Sequence, residues 1–376
     1  MEPIRVLHIL QRMEAAGIQT LLMNLYRVID RNKVQFDFLV QYKEKNFYDD
    51  EIESMGGKIY KFSVREDYNV IKYRKELRKF FAEHKEYKVV HGHMETLSNI
   101  WEEEAKRAQI PTVIVHSHIA GFNEKNLLKL LIKEYYRFSY GRYADEWFAC
   151  SKAAGDFMFP DKNYKVVHNA IDTRKFVYTD AKREMRVKLG LKDEFVVGHV
   201  GRFHPQKNHL FLIDIAEKLG NLIPNMKIML IGDGDLRSEI EEEIRKRNLD
   251  KFFMILGNRQ DVNVLYSVMD VFVLPSLYEG LPLVGVEAQA AGLNCFFSNT
   301  VTDEVKITDR AHFIPLESGA QVWAEKIAKA RSNNSKREEY ADIVAHSGYD
   351  IYDLADKLSK FYISVYEGEK KCLTLV

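Results

Sequence analysis

Apolar residues fall into short continuous runs separated by amphipathic stretches. Residues 6–10 form the first run. After a turn around Gly17, the positions Ile18, Leu21, Leu22, Leu25, Val28 and Ile29 recur at helical spacing. Residues 35–41, 88–91, 112–115 and 147–151 read as further strands, with helices predicted over 74–84 and 99–108. The alternation restarts with a strand over 195–201 that ends in glycine. Helices over 209–219, 236–248, 262–269 and 282–291 then alternate with strands over 227–232, 252–257, 270–275 and 294–298. Such alternation predicts parallel sheets covered on both faces. Two series predict an α/β protein of two doubly wound domains, residues 1–168 and 195–345, with a polar, charged linker over 169–194. A last series, Ile351, Leu354, Leu358, Phe361 and Val365, predicts a terminal helix within 346–376. Open parallel sheets bind ligands beyond the carboxyl ends of their strands, so a ligand cleft between the two domains is expected.

The length of 376 residues agrees with two domains at roughly 150 residues each. With 46% apolar and 29% charged residues, the chain is neither disordered, collagenous nor embedded in a membrane. Its 55 basic and 55 acidic residues cancel, so no nucleic-acid partner is expected. Cys150, Cys295 and Cys372 lack ligand spacing, which fits a reducing compartment better than a disulfide scaffold. The first residues read as a strand and no window approaches about 18 apolar residues, so a cytoplasmic location is expected.

The densest candidate chemistry is Ser276-Leu277-Tyr278-Glu279-Gly280-Leu281-Pro282-Leu283-Val284-Gly285-Val286-Glu287. Pro282 suits a helix start, which places Glu279 on a loop and Glu287 on the helix. Free amides near Leu281–Val284 would form an anion site, and the carboxylates would accept hydroxyl hydrogen bonds. That combination suits a phosphorylated sugar. The segment resembles the glutamate–seven residues–glutamate signature of GT4-type retaining glycosyltransferases, which have the GT-B fold of two Rossmann-like domains facing a central cleft. Gly201-Arg202 with Gln206-Lys207, Gly232-Asp233-Gly234, Asn169-Ala170-Ile171-Asp172 and Ala15-Ala16-Gly17-Ile18-Gln19 resemble further motifs of that family, in its order.

The resemblance implies a metal-independent enzyme that moves a hexose from a nucleotide diphosphate sugar to a hydroxyl of a glycan or lipid-linked acceptor, in bacterial capsule, exopolysaccharide or lipopolysaccharide synthesis. A UDP-sugar is the expected donor, with GDP-mannose the alternative. Arg202 and Lys207 match the residues that hold the diphosphate, and Glu287 the acceptor of the ribose hydroxyls. Glu279 and His116 match residues near the transferred sugar. Gly280, Leu281, Pro282 and Leu283 match the loop facing sugar and phosphates, and Gly17 the loop that approaches the phosphate. Ala16, Gln19 and Ala170 depart from the family's usual residues. A sugar-nucleotide epimerase on the same fold and a non-catalytic partner subunit are the competing readings.

Three further features bear on function. His91-Gly92-His93 and His116-Ser117-His118 invite a metal, but no cysteine or carboxylate joins them at ligand spacing, so no metal is expected. Asp233-Gly234-Asp235 begins a helix, where aspartates are ordinary, and arginine stands at 237, where a dinucleotide fingerprint needs glycine. Finally, Lys125, Lys129, Lys133 and Arg137 recur every four residues beside Leu127, Leu128, Leu131, Tyr135 and Phe138. Such a basic amphipathic helix either rests on the inner face of an anionic membrane or packs its apolar face into the core.

Overall fold

The computed structural model describes residues 2–14, 17–95, 97–122, 126–178, 181–332 and 336–369. The chain divides into two compact units, Met1–Ala170 with Ile351–Val376, and Ile171–Asp350.

The first unit contains β1 (Ile4–Leu10), β2 (Val34–Val40), β3 (Ile59–Lys61), β4 (Val89–Gly92), β5 (Thr112–Ser117), β6 (Glu146–Ala149) and β7 (Lys165–Val166). They form one sheet in the order β3-β2-β1-β4-β5-β6-β7, and every pairing is parallel. A parallel sheet is covered on both faces, and its central strands are accordingly buried: all seven residues of β2 are. The one charged residue within β2 is Asp37. It accepts from Arg5 Nε at 2.6 Å, from the Tyr87 hydroxyl at 2.7 Å and from the Lys58 amide at 2.7 Å, so its buried charge is fully paired.

The helix Ile351–Tyr366 buries Ile351, Leu354, Leu358, Phe361 and Tyr362 in the first unit's core beside Leu22, Phe36 and Phe148. The chain therefore returns to its first unit after building the second.

In the second unit, β8 (Phe195–Val200), β9 (Met226–Ile231), β10 (Phe253–Ile255), β11 (Val271–Leu274), β12 (Asn294–Ser298) and β13 (Ala311–Ile314) are ordered β10-β9-β8-β11-β12-β13, again all parallel. The expected linker over 169–194 differs from what is found. Phe176 and Leu191 are buried in the second unit's core, with Met185 and Leu189 packed against it. Arg186 fastens the segment by donating to the carbonyls of Val268 and Glu194. Charged residues dominate this stretch, so its few core anchors carry no visible periodicity.

Arg337 has the opposite character, a buried cation inside the second unit. Its guanidinium donates to the carbonyls of Ala291, Met269 and Tyr266 at 2.9, 2.8 and 2.9 Å. Those carbonyls follow or end the helices Leu283–Ala290 and Val262–Val268, where a cation complements the helix dipole. Arg337→Met would leave three buried acceptors without their donor and should cost about 3 kcal/mol. Urea unfolding followed by circular dichroism checks this, and an unchanged midpoint would contradict it.

Candidate active site

The two sheets share one topological property. In the second unit, the chain runs outward from β8 through β9 to β10 and, on the other side, from β11 through β12 to β13. The loops after β8 and β11 therefore leave in opposite directions and open a crevice beyond the carboxyl ends of these strands.

The two loops are tied across this crevice. The Leu277 amide donates to the Gln206 carbonyl at 2.8 Å, and Asn208 Nδ2 donates to the Pro275 carbonyl at 3.1 Å. At the centre, Lys207 Nζ lies 2.5 Å from Glu279 Oε1. Ser276 Oγ donates to the same oxygen at 2.9 Å, and Gln206 Nε2 to Oε2 at 3.1 Å. Glu279 is thus a carboxylate held by three donors, one of them a cation. Gly201 makes room for this pair, because a Cβ there would stand 3.1 Å from the Lys207 stem.

Two glycines set the depth of the loop after β8. Gly232 has φ +133°, and a Cβ on it would come within 2.1 Å of the Gly201 carbonyl oxygen. Gly234 lies against the Phe203 backbone, where a Cβ would meet the carbonyl oxygen at 2.6 Å. The Phe203 amide donates to the Asp233 carbonyl at 3.0 Å, so the two loops interlock through main chain. Asp233 is occupied structurally, accepting from the Gly234 amide and from Arg237. Arg202 is exposed beside these glycines, and its guanidinium makes no hydrogen bond or ion pair among the described residues.

Pro282 is the N-cap of Leu283–Ala290, and no side chain caps this helix start. The first amides of a helix have no intrahelical acceptor, so this end presents donors. Glu287 follows one turn in. Its carboxyl receives the Tyr266 hydroxyl at 2.9 Å, and burial of the group pushes it up to about 7 against that hydrogen bond. Tyr266 is a partner that spacing alone did not flag, because it comes from the neighbouring helix Val262–Val268.

In the first unit the order reverses between β1 and β4. Here His116 is found, not beside a carboxylate but within a group of buried histidines. The β1–β4 register pairs His8 with His91, and the β4–β5 register pairs Gly92 with Val115, one residue before His93 and His116. His8 Nδ1 is 3.1 Å from His93 Nε2, and His93 Nδ1 is 3.1 Å from His118 Nε2. Burial lowers all five, His8 and His118 to about 3, which keeps the imidazoles neutral. Spacing singled out His91, His93, His116 and His118 but not His8, which joins them from a third strand.

Gly17 opens the helix Gly17–Val28, and a Cβ there, as on Gly280, would meet nothing within 4 Å. Within the protein itself neither position demands glycine. Ala15, Ala16 and Lys125 lie outside the described residues.

The helix Leu127–Ser139 lies opposite to the packed arrangement. None of its residues is buried, and Leu127, Leu128 and Phe138 are 70%, 69% and 78% exposed. Arg137, expected on a free basic face, instead turns toward its own unit: it donates to the Phe157 carbonyl at 3.0 Å and pairs with Glu134 at 2.7 Å. Lys129 is exposed, while Lys133 is half-buried with its ammonium 5.8 Å from the Phe122 ring. No described helix is long and apolar enough to cross a membrane.

Residues 181–345 match the family described as Glycosyl transferases group 1. Over 371 residues the chain is 36% identical to EpsF of Bacillus subtilis (strain 168), covering 95% of this chain and 96% of that protein. The chain belongs to the group 1 glycosyl transferases. Among other relatives of this glycosyltransferase is the UDP-Gal:alpha-D-GlcNAc-diphosphoundecaprenol alpha-1,3-galactosyltransferase of Escherichia coli, 27% identical over 96% of this chain and 97% of that one. HepE of Anabaena, crystallised in complex with UDP, superposes with a TM-score of 0.78 at 17% identity, covering 96% of this chain and 100% of that structure. At that identity the likeness establishes the fold, which is GT-B.

Glu287 gives the second unit a pH signature. Its folded-state pKa, about 7, exceeds its ordinary value of 4.5, so the folded state keeps a proton that the unfolded chain releases between these values. This contribution is present below about 4.5, falls as pH rises to about 7, and then levels off. Glu287→Gln should remove a component of up to about 3 kcal/mol, so the variant gains on the wild type between pH 5 and 7.5. Urea midpoints across that range test the sign, and parallel curves for the two proteins would contradict it.

Proposed function

We propose that this glycosyltransferase binds a nucleotide diphosphate sugar, with UDP as the nucleotide, at the carboxyl ends of β8 and β11, and transfers the hexose with retention to a hydroxyl of a lipid-linked or glycan acceptor in surface polysaccharide synthesis. The observation that carries the reading is the Lys207–Glu279 pair at 2.5 Å, with unpaired Arg202 on the same loop as Lys207. A diphosphate takes Lys207 and Arg202 as its cations, while Ser276 and Gln206 continue to hold Glu279. Glu287, ionised above about 7, accepts from ribose hydroxyls. The Escherichia coli relative, whose name states a UDP-galactose donor and a diphosphoundecaprenol acceptor, supports both substrate classes.

In the transfer step, the bond between the anomeric carbon and the β-phosphate oxygen breaks. The acceptor oxygen bonds to the same face of that carbon, and its proton passes to the departing phosphate. Arg202, Lys207 and the uncapped amides at Leu283–Ala290 stabilise the charge that grows on the diphosphate, so no metal is needed for that role. Glu279 orients the sugar and supports the cationic carbon.

Incubating the protein with candidate donors and membrane extract tests the reading. Label appearing in lipid or glycan supports transfer, whereas a free donor isomerised without acceptor would replace it with epimerisation. Lys207→Ala and Arg202→Ala should each lower kcat/KM about 100-fold or more with the fold intact by circular dichroism, and undiminished turnover would refute their role.

The exposed apolar face of Leu127–Ser139 supports docking on an anionic bilayer, with the leucines and Phe138 inserted and Lys129 at the headgroups. Replacing Leu128 and Leu131 by Glu should reduce sedimentation with phosphatidylglycerol vesicles. Equal sedimentation of variant and wild type would remove this contact.

A further inference from the structure

We infer that His93, His116 and His118 form a binding site for a divalent transition-metal ion of the zinc type. The three side chains each offer a ring nitrogen, and these nitrogens all lie within 4.8 Å of one another. A tetrahedral zinc ion holds imidazole nitrogens at about 2.0–2.1 Å, which sets them roughly 3.4 Å apart. His93 Nδ1 and His118 Nε2, at 3.1 Å, already approach that separation.

This triad includes unpartnered ring nitrogens on His116 and His118. His116 is 2% exposed, and neither of its ring nitrogens has a hydrogen-bond partner among the described residues. A neutral imidazole in such surroundings keeps a lone pair that nothing uses, and a metal ion uses it.

Access favours this triad over the alternative of His8, His91 and His93, whose nitrogens also lie within 4.8 Å. That second set is buried on all three members, and His91 Nδ1 is engaged by the Tyr362 hydroxyl at 2.8 Å. His118, by contrast, is only partly buried, which gives an ion a way in.

Three nitrogen ligands leave a fourth tetrahedral position for an oxygen, from water or from a sugar hydroxyl. The inference uses only the first unit and does not rest on the diphosphate reading of the second.

The test uses the full chain without a polyhistidine tag, stripped with EDTA and titrated with Co(II). The expected result is one equivalent bound with the intense visible bands of a tetrahedral site, displaced by Zn(II). His116→Gln and His118→Gln should each weaken binding at least about 10-fold. His8→Gln removes only the partner of His93 Nε2 and should weaken binding less than either. Circular dichroism establishes that each variant is folded. Absence of a tetrahedral spectrum in the folded wild type would overturn the proposal, as would binding lost in His8→Gln or His91→Gln but kept in His116→Gln. UDP binding, followed separately by calorimetry, distinguishes failure here from failure of the donor reading.

Discussion

Each unit depends on a reversal of strand order within a sheet whose strands all point the same way. Where the order reverses, at β8/β11 and at β1/β4, the chain must leave the two adjacent strands in opposite directions. Backbone that would otherwise cover the carboxyl ends is drawn aside, and a crevice remains. In the second unit this crevice carries the Lys207–Glu279 pair. In the first it carries histidines. The same constraint therefore produces two polar sites of different chemistry, one charged and one neutral.

What makes the second unit's crevice specific is how little freedom its loops have. Gly232 and Gly234 allow the loop after β9 to lie directly on the loop after β8, at separations no side chain could enter. Asn208 and Leu277 then fasten the loop after β8 to the one after β11. Beneath them, Arg337 ties together the ends of two helices, and one of the carbonyls it holds belongs to Tyr266, the residue that holds Glu287. A cation far along the chain thus helps to set the position of a candidate ligand-binding carboxylate.

Much of this was legible in the sequence. The long apolar runs and helical series located the central strands and their helices, because burial on both faces leaves a continuous pattern. Motif residues 201–207 and 276–287 were found as a group because each sits on a loop between such elements. Strands β3, β7 and β13 were not, and β3 and β7 hold only three and two residues. Nor was the role of residues 171–194, where charged residues conceal the anchors Phe176 and Leu191. The two histidine pairs were visible in the sequence, but that His8 joins them and that they meet could be seen only through strand register. Ala170, at a position where the family often has glycine, does not have a positive φ, so the departure costs nothing.

Hydrogen–deuterium exchange of the intact chain with and without UDP tests most directly whether the crevice at β8/β11 is the nucleotide site. The account predicts slower exchange at residues 201–208 and 276–287, with no comparable change at the outer strands β10 and β13. Protection confined to other segments, or no protection at saturating UDP or GDP, would contradict it.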